Sequence, residues 1–362
     1  MKIRKTIKKI GFTAIMLVFS MMTFSSCDDG FIYDEEGDCT VHYKLQFFYD
    51  MNLKWADAFS NEVKSVRVYA FDENENLVKI FMENDPSIIS EPNYAMDLDL
   101  EPGNYHLIAW CGIDNINPET KVSIASFSAP ENMGMKMQDL DCKLNWKSNA
   151  LFPAYSDEHL QFTFWGELKD VEIVKENLYG GVEYFRMPLI KDTNHLRVQL
   201  VQLSGEDTDV NDFTYSIEAV NGEMDYLNNL IGDTKITYLP WHLMNGEVGM
   251  EQETKALTYA NSAIADLDLS RMTVGEIDSM RLVIRNSEDN SLVANVPIIQ
   301  YSLLSKMYYE EAYGHDMTDQ EFLDRQDEYN MTFFLDSNMK WVYATIDILS
   351  WRVVIQNVDL GS

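Results

Sequence analysis

The sequence predicts an all-β protein, with two β-sandwiches in tandem and a short helical insert in the second. Three observations lead to this prediction. Apolar and polar residues alternate with period two through most of the chain, as in half-buried strands. Turn residues interrupt the alternation at short intervals, in two separate runs. The chain of 362 residues is long enough for two domains.

The chain begins with an export signal, which we assign to residues 1–26. Residues 1–10 carry five basic side chains and no acidic one, and an uncharged apolar run extends from Gly11 to Phe24. A basic start, an apolar middle and a small-residue exit are typical of a signal peptide. The apolar run is shorter than the roughly 20 residues that a transmembrane helix needs.

Cys27 is the predicted site of lipid attachment. A cysteine directly after small residues, here Ser25 and Ser26, is the pattern of bacterial lipoproteins, in which the thiol carries acyl chains such as palmitate. Several acyl chains on one residue anchor a protein stably, because each buried methylene contributes about 0.8 kcal/mol. Residues 27–38 then form a lipidated acidic tether. The alternative is a soluble secreted protein in which this cysteine is incidental.

The first sandwich is predicted at residues 39–190. Strand 66–71, the polar turn after it and strand 77–80 predict a hairpin. Pro102-Gly103 follows another alternating strand, and this pair predicts a type II turn into an antiparallel return strand.

The second sandwich is predicted at residues 191–362. Alternating strands begin near residue 195, and Asn221-Gly222 predicts a tight hairpin turn after strand 213–219. Further strands are predicted at 265–269, 281–284 and 294–296, and the closing strands at 341–348 and 351–358.

A helical insert interrupts this second run of strands. Thr318 and Glu321 have the spacing of a capping box, which predicts a helix of about three turns that includes Tyr329. Residues 303–312 are also helical in composition, and Gly314 separates the two helices.

The charge of the chain excludes nucleic-acid binding. The formal net charge is −31, and removal of the five basic residues of the signal changes it to −36. Such a surface repels phosphate backbones and anionic lipid head groups. The lipid is therefore the expected route to the membrane.

The sequence contains no motif for catalysis, for a cofactor or for a metal. Spacings such as H-E-x-x-H, G-x-S-x-G, G-x-G-x-x-G and C-x-x-C are absent. Asp72, Asn74, Asn76 and Glu83 fall at four positions of a calcium loop, but Leu77 replaces the required glycine, so a plain hairpin turn is favoured. We therefore predict no enzyme activity and no cofactor. Each histidine is predicted to be a surface or strand residue: His42, His106, His159, His195, His242 and His315.

Two questions stay open at this stage. Cys39, Cys111 and Cys142 permit one disulfide in an exported protein, or two or three buried thiols. The tryptophans could form a glycan-binding platform, although core packing is favoured because most lie in strand-like alternation: Trp55, Trp146, Trp165, Trp241, Trp341 and Trp351.

Several segments together resemble one family, the anchor subunits of Bacteroidales type V fimbriae. The most specific are the closing segments Phe322–Asp336 and Trp351–Asn357, and Leu100–Tyr105 with Ala109–Gly112 is a further match. The remaining matches are spread along the chain: Cys27-Asp28, Tyr33-Asp34, Cys39, Tyr49–Asn52, Ala56–Phe59 and Val68–Asp72.

The resemblance implies two transthyretin-like sandwiches, no enzyme activity and a structural role at the base of a fimbrium. It implies attachment to the outer membrane through the lipid on Cys27, with the protein on the cell surface. It also implies partnership with fimbrillin subunits by strand complementation, in which a strand of one subunit completes the sheet of another. Termination of assembly would follow. The alternative function is that of a surface glycan-binding lipoprotein, which the aromatic content favours.

Overall fold

The computed structural model describes residues 40–175, 181–204, 208–251, 257–348 and 351–356. The chain divides into two compact units, one of residues Met1–Val41 and Lys175–Val182 and the other of His42–Val174 and Glu183–Ser362. In the smaller unit, Gly181 N donates to Thr40 O (3.0 Å) and Val41 N donates to Lys175 O (3.3 Å). The candidate sites described below belong to the larger unit.

The described part of the chain is mainly β-structure. The strands up to residue 191 are β1 (Val41–Phe48), β2 (Val66–Phe71), β3 (Leu77–Glu83), β4 (Met96–Asp97), β5 (Gly103–Cys111), β6 (Phe127–Ser128), β7 (Asp141–Leu144), β8 (Tyr155–Ser156), β9 (Phe164–Ile173) and β10 (Gly181–Lys191). The later strands are β11 (Asn194–Gln202), β12 (Phe213–Ala219), β13 (Glu223–Asp225), β14 (Ile236–Tyr238), β15 (His242–Glu251), β16 (Leu257–Leu269), β17 (Arg281–Asn286), β18 (Leu292–Pro297), β19 (Glu328–Leu335), β20 (Trp341–Ile348) and β21 (Trp351–Gln356).

The first half builds a seven-stranded sheet in the order β3-β2-β5-β9-β10-β1-β4. Strand β1 illustrates why the sheet forms. Its alternate residues Val41, Tyr43, Leu45 and Phe47 are buried. The ring of Phe47 stacks on those of Phe59 and Tyr94 at centroid distances of 5.5 and 6.3 Å. The predicted hairpin of β2 and β3 is confirmed.

The second half builds a six-stranded sheet, β15-β16-β11-β19-β20-β21, and a five-stranded sheet, β18-β17-β12-β14-β8. The all-β, transthyretin-like tandem-sandwich prediction is confirmed. The predicted hairpin of β17 and β18 and the closing pair β20 and β21 are also present.

Each half of the chain contributes one short strand that pairs with a strand of the other half. Strand β8, from the first half, pairs with β14, and β13, from the second half, pairs with β7 in a three-stranded sheet. One continuous buried core includes Tyr69 and Trp110 together with Leu196, Leu267 and Phe333. Strand β10 ends at Lys191 and β11 begins at Asn194, so the predicted domain division falls beside this short connection and stays a prediction.

Two predicted turns are wrong. Pro102-Gly103 does not connect paired strands, because β4 pairs with β1 whereas β5 pairs with β2 and β9, and Gly103 does not adopt a positive φ. After Asn221-Gly222 the chain leaves its sheet, because β13 pairs with β7 and not with β12.

The predicted helical insert is present. The helices are α1 (Phe59–Glu62), α2 (Pro86–Ile89), α3 (Ile298–Leu303), α4 (Lys306–Tyr313) and α5 (Asp319–Arg325). Thr318 caps α5 by accepting a hydrogen bond from Glu321 N at 3.0 Å. Gly314 ends α4 with φ 65°, a left-handed conformation that glycine adopts without strain. Helix α5 is shorter than predicted, because Tyr329 belongs to β19.

Candidate functional site

The predicted lipid site, Cys27, lies outside the described residues, as does Cys39. Cys111 and Cys142 are buried free thiols, so they do not form a disulfide with each other. Burial raises the pKa of both thiols well above the ordinary value. The two cysteines are therefore core residues of low reactivity.

Sheet edges are candidate surfaces for strand addition, because an edge strand leaves backbone groups available for a partner. Strand β15 ends the six-stranded sheet and pairs along its full length with β16. Its side chains Leu243 and Met244 are 43% and 39% exposed. Strand β3 ends the seven-stranded sheet, with Val78 and Met82 exposed.

A polar cluster, here called the histidine cluster, forms where β11, β15 and β16 lie side by side. Its members are His159, His195, Arg197, Trp241, His242, Asp266 and Asp268. The buried carboxylate of Asp268 accepts hydrogen bonds from His195 Nδ1 at 2.7 Å and from Trp241 Nε1 at 3.1 Å. Its other oxygen lies 2.6 Å from His159 Nδ1 and accepts from Leu160 N at 2.8 Å.

Asp266 is the second buried carboxylate of the histidine cluster. Arg197 donates to it from Nε at 2.7 Å and from Nη2 at 3.0 Å, and His242 Nδ1 lies 3.0 Å away. Burial favours the protonated acid, but these hydrogen bonds outweigh it and hold the pKa of Asp266 below its ordinary range. The hydrogen bond to Asp268 raises the pKa of His195 above its ordinary value.

Trp241 lies among the imidazoles of the histidine cluster. Its ring stacks on His159 at a centroid distance of 4.4 Å and on His242 at 5.5 Å. A cavity of about 220 Å³ opens beside it and is also lined by Phe162 and Lys191.

A second cavity, of about 550 Å³, shares Phe162 and Lys191 with the first. The ammonium of Lys191 is buried and lies 3.4 Å from the centre of the Phe162 ring. It also pairs with Glu62 at 2.9 Å and with Asp327 at 2.6 Å. The two cavities therefore meet at a cation whose charge is already neutralised.

A second charged cluster, here called the buried ion cluster, joins three segments that are far apart in sequence. Arg271 pairs with Asp192 at 2.8 Å and with Asp324 of α5 at 3.0 Å. Asn228 Nδ2 donates to Asp192 at 2.9 Å. Burial raises the pKa of Asp192 to about 6, although Arg271 opposes this shift.

Asp72 and two of the tryptophans have structural roles. Asp72 accepts hydrogen bonds from the backbone of Asn74 at 2.9 Å and of Asn76 at 2.8 Å, which makes it the residue that closes a hairpin turn. Trp110 is fully buried. Trp55 is 40% exposed and takes a positive φ of 52°. Its ring lies against Arg325, 3.6 Å from the guanidinium, and its Nε1 donates to Tyr309 at 2.8 Å.

Sequence reasoning missed the histidine cluster. The alternation did place Arg197 on the polar face of one strand, and Asp266 and Asp268 on that of another. The structure pairs His195 with Asp268 and Arg197 with Asp266 across β11 and β16. The signal was therefore present in each strand, but the pairing of the two strands was not.

Within the described ranges, no group of three or more potential ligands is arranged to hold a metal ion. In the same residues, no helix is both long and apolar enough to cross a membrane.

Comparison with known proteins assigns the family. The model of the fimbrillin-A associated anchor proteins Mfa1 and Mfa2 matches residues 35–357. The chain belongs to this family. The family and the structural neighbours are structural proteins of the fimbrial and adhesin type. A cell-surface location follows from this membership.

Solved structures support the assignment. A candidate adhesin from Bacteroides thetaiotaomicron is 30% identical, with a TM-score of 0.72 over 89% of this chain and 100% of that chain. A candidate polysaccharide-binding protein from the same organism shares the fold at 24% identity, with a TM-score of 0.68 over 88% of this chain and 99% of that one. The fimbrial anchor protein Mfa2 from Porphyromonas gingivalis shares it at 14% identity, with a TM-score of 0.55 over 88% of this chain and 100% of that one. No curated protein sequence matches the chain.

Proposed function

We propose that this protein is a non-enzymatic lipoprotein that anchors a fimbrium to the outer membrane and terminates its assembly. The observation that carries the proposal is the match of an anchor-family model to residues 35–357. Acyl chains on Cys27 would hold the folded body at the cell surface through the acidic tether 27–38. Residues 39–190 and 191–362 would be its two sandwich domains.

The partner is a fimbrillin subunit, joined by strand complementation. The open edges of β3 and β15 support this part of the proposal, because both present backbone and exposed apolar side chains to an incoming strand. Strand addition would take affinity from backbone hydrogen bonds and specificity from alternate side chains.

The proposal is tested by Cys27→Ala in the native organism. We expect fimbriae to be released into the medium or to grow overlong, because the polymer loses its lipid attachment and its terminator. Immunoblots of cells and medium measure the distribution of fimbrillin, and electron microscopy measures fimbrial length.

Ser25→Ala is the matched control, because it alters the same signal region and leaves the cysteine in place. An immunoblot of the anchor itself shows that the variant is still made and exported. Fimbriae that stay on the cell at normal length in Cys27→Ala would contradict the anchor function.

The alternative is a surface glycan-binding lipoprotein. The cavity beside Trp241 is the observation that favours it. Glycan binding and fimbrial anchoring are compatible in one chain, since the cavity and the predicted lipid site lie at different residues.

A further inference from the structure

The cavity beside Trp241 has the size of one substituted six-membered ring. Its volume is about 220 Å³, below the roughly 300–1,000 Å³ of pockets for drug-sized ligands. The rings of Trp241 and Phe162 and the side chain of Leu160 give it walls of carbon. Phe162 is 39% exposed, so this wall is accessible from solvent.

The basic side chains around the cavity are already paired with carboxylates. Lys191 is neutralised by Asp327 and Glu62, and Arg197 by Asp266. A phosphate entering the cavity would meet the carboxylates of Asp268 and Asp327, and an amine would meet Lys191. Burying an ion without a partner is costly, so the cavity suits an uncharged ligand.

Polar groups remain at the rim. Glu328 lines the cavity and its side chain is exposed, and within the described chain no hydrogen bond or ion pair engages its carboxylate. His195 uses Nδ1 for Asp268, and its Nε2 lies 3.7 Å from Asp266, beyond hydrogen-bond distance. One acceptor and one ring nitrogen are therefore available to hydroxyl groups of a ligand.

We propose that this cavity binds one pyranose ring of a neutral glycan. The C–H face of the sugar packs against the carbon walls of Phe162 and Trp241, and its hydroxyls bond to Glu328 and His195. This site is independent of fimbrial anchoring, because it needs neither the lipid nor a sheet edge.

The test is binding of simple glycosides to the purified full-length protein in detergent. The probes are the methyl pyranosides of glucose, galactose, mannose and N-acetylglucosamine, followed by saturation-transfer NMR and tryptophan fluorescence. We expect at least one probe to bind with a dissociation constant on the order of 1 mM, as is usual for a ligand of this size. No saturation by any of the four up to about 50 mM would overturn the proposal.

Variants then locate the site. Glu328→Gln changes an exposed residue, so the fold is retained, and we expect the dissociation constant to rise about tenfold because a charged acceptor is lost. Phe162→Ala should abolish binding by removing a wall. Glu311→Gln on α4 is the matched control for loss of one exposed carboxylate, and it should bind as the wild type does.

Two results contradict the site. Binding that is unchanged in both Glu328→Gln and Phe162→Ala would place the sugar elsewhere. Saturation by N-acetylphenylalanine amide, with no binding of any glycoside, would assign the cavity to an aromatic side chain of a protein partner instead.

Discussion

Strand β16 and the residues directly after it supply charged groups to two clusters, of which one is buried and the other half-exposed. Asp266 and Asp268 belong to the histidine cluster, and Arg271 is the centre of the buried ion cluster. Asp266, Asp268 and Asp192 are buried, and the side chain of Asp324 is 12% exposed. What differs is the exposure of the cations: the Arg197 side chain is 47% exposed, whereas that of Arg271 is 9% exposed.

The carboxylates of the two clusters also differ in the direction of their pKa shifts. Burial of Asp266 favours the protonated acid, but the pKa of Asp266 is held below its ordinary value because its hydrogen bonds to Arg197 and His242 outweigh burial. The pKa of Asp192 is raised to about 6, because burial outweighs the attraction of Arg271. In both clusters the arginine lowers the pKa of the carboxylate and burial raises it, and the balance between the two determines the direction of the shift.

The two clusters also differ in what they can do. The buried ion cluster connects the β10–β11 link, the residue stretch after β16 and helix α5, but it is closed to ligands. The histidine cluster borders a cavity and keeps His159 and His242 about half-exposed. We therefore expect substitutions in the first cluster to change stability strongly, and those in the second to act weakly on stability.

The largest effect is expected for Arg271→Met. The variant leaves the buried Asp192 and the partly buried Asp324 without their cation, which should lower the free energy of unfolding by about 3–5 kcal/mol at neutral pH. Urea denaturation at pH 7.5 measures the loss. At pH 5 the loss should be smaller, because Asp192 can then be protonated.

Arg281→Met is the matched control for this substitution. Arg281 bonds Asn295 at the surface, and its replacement should change stability by less than about 0.5 kcal/mol. If Arg271→Met were as mild as this control, the buried ion cluster would contribute nothing to the fold.

The second effect is a pH dependence that originates at Asp192. Its folded pKa of about 6 exceeds the ordinary 3.8, so between these values the folded protein holds a proton that the unfolded chain has released. The stabilising contribution of the protonated group is therefore fully present below pH 3.8, and it is lost as the pH rises through 6. The stability of Asp192→Asn relative to the wild type should therefore rise by about 2 kcal/mol between pH 4 and pH 7.

Unfolding free energies of both proteins at pH 4, 5, 6 and 7 measure this difference. Asp233→Asn is the control for loss of one exposed negative charge. A constant difference between wild type and Asp192→Asn at all four pH values would show that Asp192 is ionised throughout.

Short-range patterns predicted much of the fold. The hairpin of β2 and β3 follows from two alternating strands and a polar turn, and the start of α5 follows from Thr318 and its cap. These features depend on neighbours within a few residues, so one stretch of sequence contains all the information. The two separate runs of strands predicted the tandem arrangement, and the family resemblance implied that the sandwiches are transthyretin-like.

Pairing over long distances could not be predicted in this way. Pro102-Gly103 and Asn221-Gly222 are strong local turn signals, yet β4 before the first pairs with β1, and β13 after the second pairs with β7. Alternation shows which face of a strand is polar, but it does not identify the neighbouring strand. The histidine cluster could be predicted only with that information, because His195 meets Asp268 through the register of β11 and β16.

The smallest effect is expected for His195→Gln in the histidine cluster. The pKa of His195 is raised by Asp268, so the imidazolium stabilises the folded protein fully below the unfolded pKa of about 6.5. This contribution is lost as the pH rises through the higher folded pKa. The variant should therefore be about 1 kcal/mol less stable than the wild type at pH 5.5, and the difference should shrink above pH 8.

Urea denaturation at the two pH values measures this change, with His42→Gln as the control for loss of one exposed imidazole. The contribution of Asp192 to the free energy of unfolding falls over part of the same pH range. The variant must therefore be compared with the wild type at each pH. If the loss of stability in His195→Gln grew with pH, the assigned role of the imidazolium would be contradicted. The growth would mean that the neutral imidazole, and not the charged one, stabilises Asp268. A deficit of several kcal/mol would instead remove the distinction between the half-exposed and the buried cluster.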